Sequence, residues 1–134
     1  MKDNNKEIKN KDKDEGECIF CKISKGEINV DKIYENENFF SFPDANPVAK
    51  GHSLIIPKNH FKTALDLPSS LGQELLDCIK NTTMKLMKED ESIDGFNIVS
   101  NNFPSAGQAV HHVHFHIIPR KKDDGKILSL HDKK

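Results

Sequence analysis

The stretch His112-Val113-His114-Phe115-His116-Ile117 alternates polar and apolar side chains without a break. Successive side chains of a β-strand point to opposite faces. The spacing therefore predicts a strand with three imidazoles on one face and three apolar groups on the other. Its β-branched and aromatic content suits a pleated, half-buried surface, and Pro119 is expected to stop it. Further apolar runs predict strands over 30–34, 39–42, 51–57 and 96–100. The first two are joined as a hairpin by the polar turn 35–38. His52, Leu54 and Ile56 share one face of the third. After Pro68 the period lengthens. Leu71, Leu75, Ile79, Thr82 and Leu86 form the core stripe of one long helix, capped by Ser69 or Ser70 and ending near Glu89. Ile19, Phe20 and Ile23 predict a short helix ended by Gly26. The sum is an α+β fold: a mainly antiparallel sheet of about five strands, one long helix packed on it, and a short N-terminal helix.

Composition narrows the functions open to this fold. The chain has 134 residues and a formal net charge of −1. That is one domain, with no bulk field to draw it to nucleic acid or a membrane surface. No apolar run reaches transmembrane length. Residues 1–17 are charged and almost free of apolar groups, so they are expected to be a disordered tail before a domain spanning 18–134, and not a secretory signal. A cytoplasmic location, with the nucleus also open to it, follows as the expectation. Arg120 is the only arginine, so no cluster of guanidinium groups can clamp a polyphosphate within one chain. Three cysteines do not make a disulfide scaffold, and in a reducing compartment Cys18-Ile19-Phe20-Cys21 reads as a metal or redox pair. Cys78, near the helix stripe, reads as a buried small thiol.

Four of the seven histidines fall within residues 111–116. Imidazole titrates near neutral pH, so the row is built for a metal cage, acid–base work or a nucleophile. Two partitions are open. Three alternating histidines can converge on one zinc with water in the fourth position. Alternatively, Cys18 and Cys21 supply half of a tetrahedral site, and His60 and one histidine of the row complete it. The second partition leaves two histidines of the row free for catalysis.

These residues carry a resemblance. His112-Val113-His114-Phe115-His116-Ile117-Ile118 resembles the signature of the histidine triad (HIT) family. Cys18-Ile19-Phe20-Cys21-Lys22-Ile23 resembles the start of its zinc-carrying members. Phe42-Pro43-Asp44 and the run from Gly51 to His60 resemble the family's middle segment, and Asn101 and Gly107-Gln108 its phosphate loop. The likeness runs in order over roughly 18–120 and is nearest to the Hint branch of nucleoside phosphoramidases.

The resemblance implies hydrolysis of a purine nucleotide carrying a leaving group on its α-phosphate, typically an amine on AMP. His114 would attack phosphorus to give a nucleotidyl-histidine that water then releases. Its other ring nitrogen would be held by a backbone carbonyl. His116 and His52 would border the phosphate. Asp44 would take the ribose hydroxyls, and Ile19, Phe20, Ile23, Phe42 and Leu54 would enclose the base. Asn101, Gly107 and Gln108 would touch the phosphate. Cys18, Cys21, His60 and His112 would hold a structural zinc, with no organic cofactor. A homodimer is implied, with neither nucleic acid nor membrane as partner.

Two positions depart from the pattern. Ala109 stands where many Hint proteins carry a phosphate-bonding serine, and 121–134 does not resemble their usual ending. His111 falls on the face opposite the triad and reads as structural or exposed. Three rival functions share these residues: a dinucleoside polyphosphate hydrolase, a zinc-stabilised nucleotide- or protein-binding module with little catalysis, and a hydrolase with three histidines on one catalytic zinc. Chelation separates the last from the phosphoramidase. It would abolish the chemistry of a catalytic zinc directly, whereas removal of a structural zinc is expected mainly to lower stability.

Overall fold

The computed structural model describes residues 16–125. The charged tail expected over 1–17 therefore falls almost wholly outside the described residues, as does 126–134. Helix α1 (Ile19–Ser24) is followed by strands β1 (Tyr34–Glu35), β2 (Phe39–Pro43) and β3 (Ser53–Pro57), then helix α2 (Gly72–Glu89) and strands β4 (Ile93–Val99) and β5 (Phe115–Lys121). The five strands form one sheet in the order β1-β2-β3-β5-β4, and every neighbouring pair is antiparallel. The α+β architecture is as the sequence predicts.

Each face of the sheet has its own cover. Phe39, Ile55 and Ile117 point to α2, where they pack with Cys78, Leu71, Leu75, Ile79 and Leu86. Phe40, Phe42, Leu54 and Ile56 point the other way and pack with Cys18, Phe20, Cys21 and Ile23 of the N-terminal segment. Covering both faces explains why β2 and β3 are almost continuously buried and show no polar alternation. Two buried hydroxyls on the α2 side are paired with each other: those of Ser41 and Thr82 lie 2.7 Å apart. Cys78 is wholly buried beside them, and burial pushes its thiol up to about 11, as expected of an inert thiol.

The long helix runs to Glu89 on the predicted stripe, but it does not begin on a serine cap. Ser69–Leu71 forms a 3₁₀ turn, and Leu71 precedes the helix with no side-chain cap. Glu74 is in the first turn, and its carboxylate reaches out of the helix. Its two oxygens accept from the Asn38 backbone N–H (3.0 Å) and side-chain amide (2.7 Å). The helix start is thereby fastened to the β1–β2 turn.

The largest departure concerns the histidine row. Ladder pairing of β5 starts at Phe115, so His112 and His114 precede the strand. Nor does Pro119 stop it: Pro119 pairs with Phe96 inside β5. The last pair between β3 and β5 is Ser53–Ile117, so β3 does not reach Pro119 on the flank where a missing N–H would matter. Pro119 also explains the turn before β3. Gly51 has φ +88°, and a Cβ there would stand 3.1 Å from the Pro119 ring. Among the described residues no helix is long and apolar enough to cross a membrane.

Candidate active site and metal centre

Two clusters of ligating side chains lie on the α1 side of the sheet. The first joins Cys18, Cys21, His60 and His112, all buried, with their donor atoms within 4.8 Å of one another. Cys18 is the N-cap of α1, and its sulfur accepts from the Cys21 N–H, so one turn of helix presents both thiols together. His60 comes from the loop after β3. The separations are 3.4 Å from Cys18 Sγ to His112 Nδ1, 3.5 Å from Cys21 Sγ to His112 Nδ1, and 3.2 Å from Cys21 Sγ to His60 Nδ1. A tetrahedral zinc with sulfur and nitrogen ligands holds such donors roughly 3.5 Å apart. The His112 Nε2–H donates to the Pro57 carbonyl at 2.9 Å, which leaves the Nδ1 lone pair facing the thiols. Burial holds the His112 imidazole down, to about 4, so it stays neutral as a ligand must be. The four residues fit a zinc ion.

The second cluster joins Asp44, His52 and His116, with His114 beside it. His114 is buried, and its Nδ1 lies 2.9 Å from the His112 carbonyl. A carbonyl only accepts, so Nδ1 carries the proton and Nε2 presents its lone pair. His116 lies alongside, with ring centroids 5.1 Å apart. Its Nδ1 is 2.9 Å from His52 Nε2. The Val48 N–H donates to His52 Nδ1 at 3.1 Å, so the His52 proton sits on Nε2 and is given to His116. His116 Nδ1 is then the acceptor, and its own proton lies on Nε2. Burial, reinforced by His114 and His52, pushes the His116 imidazole down to about 4, against a smaller opposing pull from Asp44. Burial also lowers His52, again opposed by Asp44.

Sequence reasoning gave no sign of the Asp44–His52 contact. Asp44 Oδ2 is 3.3 Å from His52 Nε2, while Oδ1 accepts from the Asn46 N–H in a tight turn. The pairing depends on the turn between β2 and β3, which spacing does not reveal. Phe20, Ile23, Phe42 and Leu54 are buried together, and the Phe20 ring stands edge-on to His114 at 5.1 Å. Ile19, by contrast, is 49% exposed at the rim. His111 is exposed, as its position in the row implied.

The phosphate loop is partly reassigned. Gly107 adopts φ +91°, with the Asn101 amide packed on its open side. Gln108 was expected at the phosphate, but its side chain is spent within the loop. Its oxygen accepts from the Phe103 N–H at 2.7 Å, and its amide donates to the carbonyls of Lys62 (2.6 Å) and Val110 (3.0 Å). Both amide hydrogens are used, so the side chain fixes the course of the loop.

Comparison with known proteins agrees with this geometry. A model of the HIT domain matches residues 25–123. An adenosine 5′-monophosphoramidase of Candida albicans is 43% identical over 117 residues, spanning 84% of this chain and 76% of that protein. The crystal structure of a Streptococcus mutans protein superposes with a TM-score of 0.78 at 37% identity, covering 87% of this chain and 74% of that one. A zinc-bound histidine triad family protein from Mycobacterium smegmatis superposes with a TM-score of 0.73 at 33% identity, covering 82% of this chain and 79% of that one.

Proposed function

The chain belongs to the histidine triad (HIT) family, and on that premise we propose that it is a nucleotide hydrolase cleaving the bond at the α-phosphate of AMP-X, with a purine nucleoside phosphoramidate as substrate. The observation that carries this reading is the His114 Nδ1–H bond to the His112 carbonyl, which leaves Nε2 as a fixed, unprotonated nucleophile.

In the first step the His114 Nε2 lone pair forms a bond to phosphorus as the phosphorus–nitrogen bond of the substrate breaks. The His112 carbonyl steadies the positive charge that develops on the His114 ring. The Nε2–H of His116, oriented through His52, donates towards the departing amine or a phosphoryl oxygen. In the second step water displaces His114 and AMP leaves. The net reaction adds one water and yields AMP and the amine. A two-step path replaces one difficult displacement with two easier ones.

Asp44 is assigned to the ribose hydroxyls, the pocket of Ile19, Phe20, Ile23, Phe42 and Leu54 to the base, and Asn101 and Gly107 to the phosphate. Zinc on Cys18, Cys21, His60 and His112 ties α1 and the loop after β3 to the segment bearing His114. When bound it supplies structure, since four protein ligands leave no open position. A reading with three histidines on one catalytic zinc fits less well, because His112 Nδ1 faces the thiols. The sole arginine supports a single reacting phosphate over a polyphosphate: Arg120 Nε lies 3.2 Å from Asp124 Oδ2. We also assign a homodimer through the edge strand β4, where Phe96 and Ile98 are 41% and 48% exposed.

The reading is tested by incubating the zinc-loaded chain with adenosine 5′-phosphoramidate. AMP should appear, a trapped adduct should add the mass of AMP to His114, and His114→Ala should release none. Faster turnover of a diadenosine polyphosphate, or nucleotide binding without any adduct, would replace this reading with one of its rivals.

A further inference from the structure

The loss of ladder support before Phe115 raises the question of what holds the nucleophile. The segment 112–114 lies outside the sheet, yet His114 must be aligned to a fraction of an ångström. Its contacts answer the question. The His114 ring is oriented by one backbone atom, the carbonyl of His112. That carbonyl belongs to a residue whose own side chain is wholly buried, with Nε2 on Pro57 and Nδ1 against the two thiols. The peptide that carries that carbonyl is itself held by the same loop: its N–H, that of Val113, donates to the Phe61 carbonyl at 2.7 Å, and Phe61 follows His60 directly. Gln108 adds a bond to Lys62, one residue further on. Apart from the Pro57 bond at the end of β3 and the Phe20 ring, these hydrogen bonds run from the nucleophile-bearing segment to the metal centre or to the loop that carries its His60 ligand.

Resting on the reading of His114 as the nucleophile, we propose that the metal centre is part of the catalytic alignment, with His112 as the positioning residue. Its ring occupies the metal site while its carbonyl fixes the tautomer and direction of His114. In the absence of a metal, His112 keeps its Pro57 bond, weak thiol contacts and the edge-on Phe20 and His60 rings, but no strong bond then ties its ring to α1 and to the loop bearing His60. The His112 carbonyl then moves, and His114 is released to exchange the Nδ1–H tautomer for the Nε2–H form, which has no lone pair to offer phosphorus. Metal occupancy is therefore expected to control the chemical step through the His114 tautomer. Asp44, Phe42 and Leu54 stand on β2, β3 and the turn between them, whereas Ile19, Phe20 and Ile23 stand on α1 with the thiols, so part of the base pocket answers to the metal as well.

The test compares the full chain loaded with zinc and stripped of it at low temperature near neutral pH, with folding confirmed by circular dichroism. Ring ¹⁵N spectra report the His114 tautomer, calorimetry the affinity for AMP, and steady-state kinetics kcat and KM. We expect the Nδ1–H tautomer to give way to a mixture and kcat to fall about ten-fold or more, beyond any weakening of AMP binding that comes from the α1 side of the base pocket. A folded zinc-free chain with the same tautomer and the same kcat would overturn the proposal. If the zinc-free chain unfolds, the cadmium-loaded form carries the test, because a larger ion must shift His112. A change in the His114 ring signal with kcat down about three-fold supports the proposal, and an unchanged signal and rate overturn it. The spectroscopic arm needs no turnover. A chain that hydrolyses no phosphoramidate but shows a metal-dependent His114 tautomer would refute the proposed function and leave the coupling standing.

Discussion

His52 Nε2 lies 2.9 Å from His116 Nδ1, and this bond decides where the His116 proton sits. The Val48 N–H fixes the His52 tautomer, His52 fixes that of His116, and the His116 Nε2–H is left facing the site. A backbone amide thereby sets which ring nitrogen of His116 carries the proton. Replacing His52 with alanine should free the His116 ring. We expect kcat to fall by about 10²-fold, with a smaller change in AMP affinity. Equal losses in kcat and kcat/KM, with AMP binding intact, would be the supporting kinetic result.

Gly51 is the backbone hinge that delivers His52. Its φ of +88° and the Pro119 ring 3.1 Å from a would-be Cβ leave no room for alanine. Gly51→Ala should cost about 1–3 kcal/mol of stability, read as a lower urea midpoint. It should also lower kcat by displacing His52. Unaltered stability would mean that the turn relaxes freely.

Acid should destabilise the chain through the same histidines. Burial lowers His116 to about 4 and also lowers His52, whereas an unfolded histidine titrates at about 6.5. As pH falls through about 6.5 the unfolded chain takes up protons that the folded chain refuses. Stability is therefore fully present above about 6.5 and declines towards about 4. Calorimetry with zinc in excess should show Tm flat on the alkaline side of this window and falling within it. His116→Asn should flatten part of the fall.

Gln108 offers a discrimination between two roles. A phosphate ligand, when removed, should raise KM and leave the fold alone. Gln108→Leu instead orphans the Phe103 N–H and the Lys62 and Val110 carbonyls. We expect a loss of about 1–3 kcal/mol in stability together with a lower kcat. A change confined to KM would restore the phosphate role.

Glu74 should matter only to the fold. It accepts two bonds from Asn38 across the gap between α2 and the β1–β2 turn. Glu74→Ala should lower stability by about 1–3 kcal/mol, with kcat unchanged for the residual folded fraction.

The sequence by itself determined the mainly antiparallel sheet and the long helix packed on it. Each rests on local periodicity or on a motif, and both act over a few residues. The α2 stripe is visible because a helix repeats its buried positions at fixed intervals. The candidate metal set is legible in part: Cys18 and Cys21 share one turn and histidines can complete four ligands, while His60 with His112 is what the resemblance to the HIT family implies. Tertiary structure decided the rest. Alternation alone made 112–117 a strand, yet a ladder needs partners on both sides, and β3 and β4 meet this segment no earlier than Phe115. Pro119 reads as a stop because nothing in the sequence shows that β3 begins only at Ser53, opposite Ile117, and so never reaches it. The Asp44–His52–His116 chain and the full use of Gln108 depend on loops brought together from positions tens of residues apart. Hydrogen bonds of that kind leave no periodic trace, because the folded backbone, and not the order of residues, sets which donors and acceptors meet. The same holds for the link from metal to nucleophile: His112 and His114 are neighbours in the motif, but only the fold turns the side chain of one and its carbonyl into two ends of a single support.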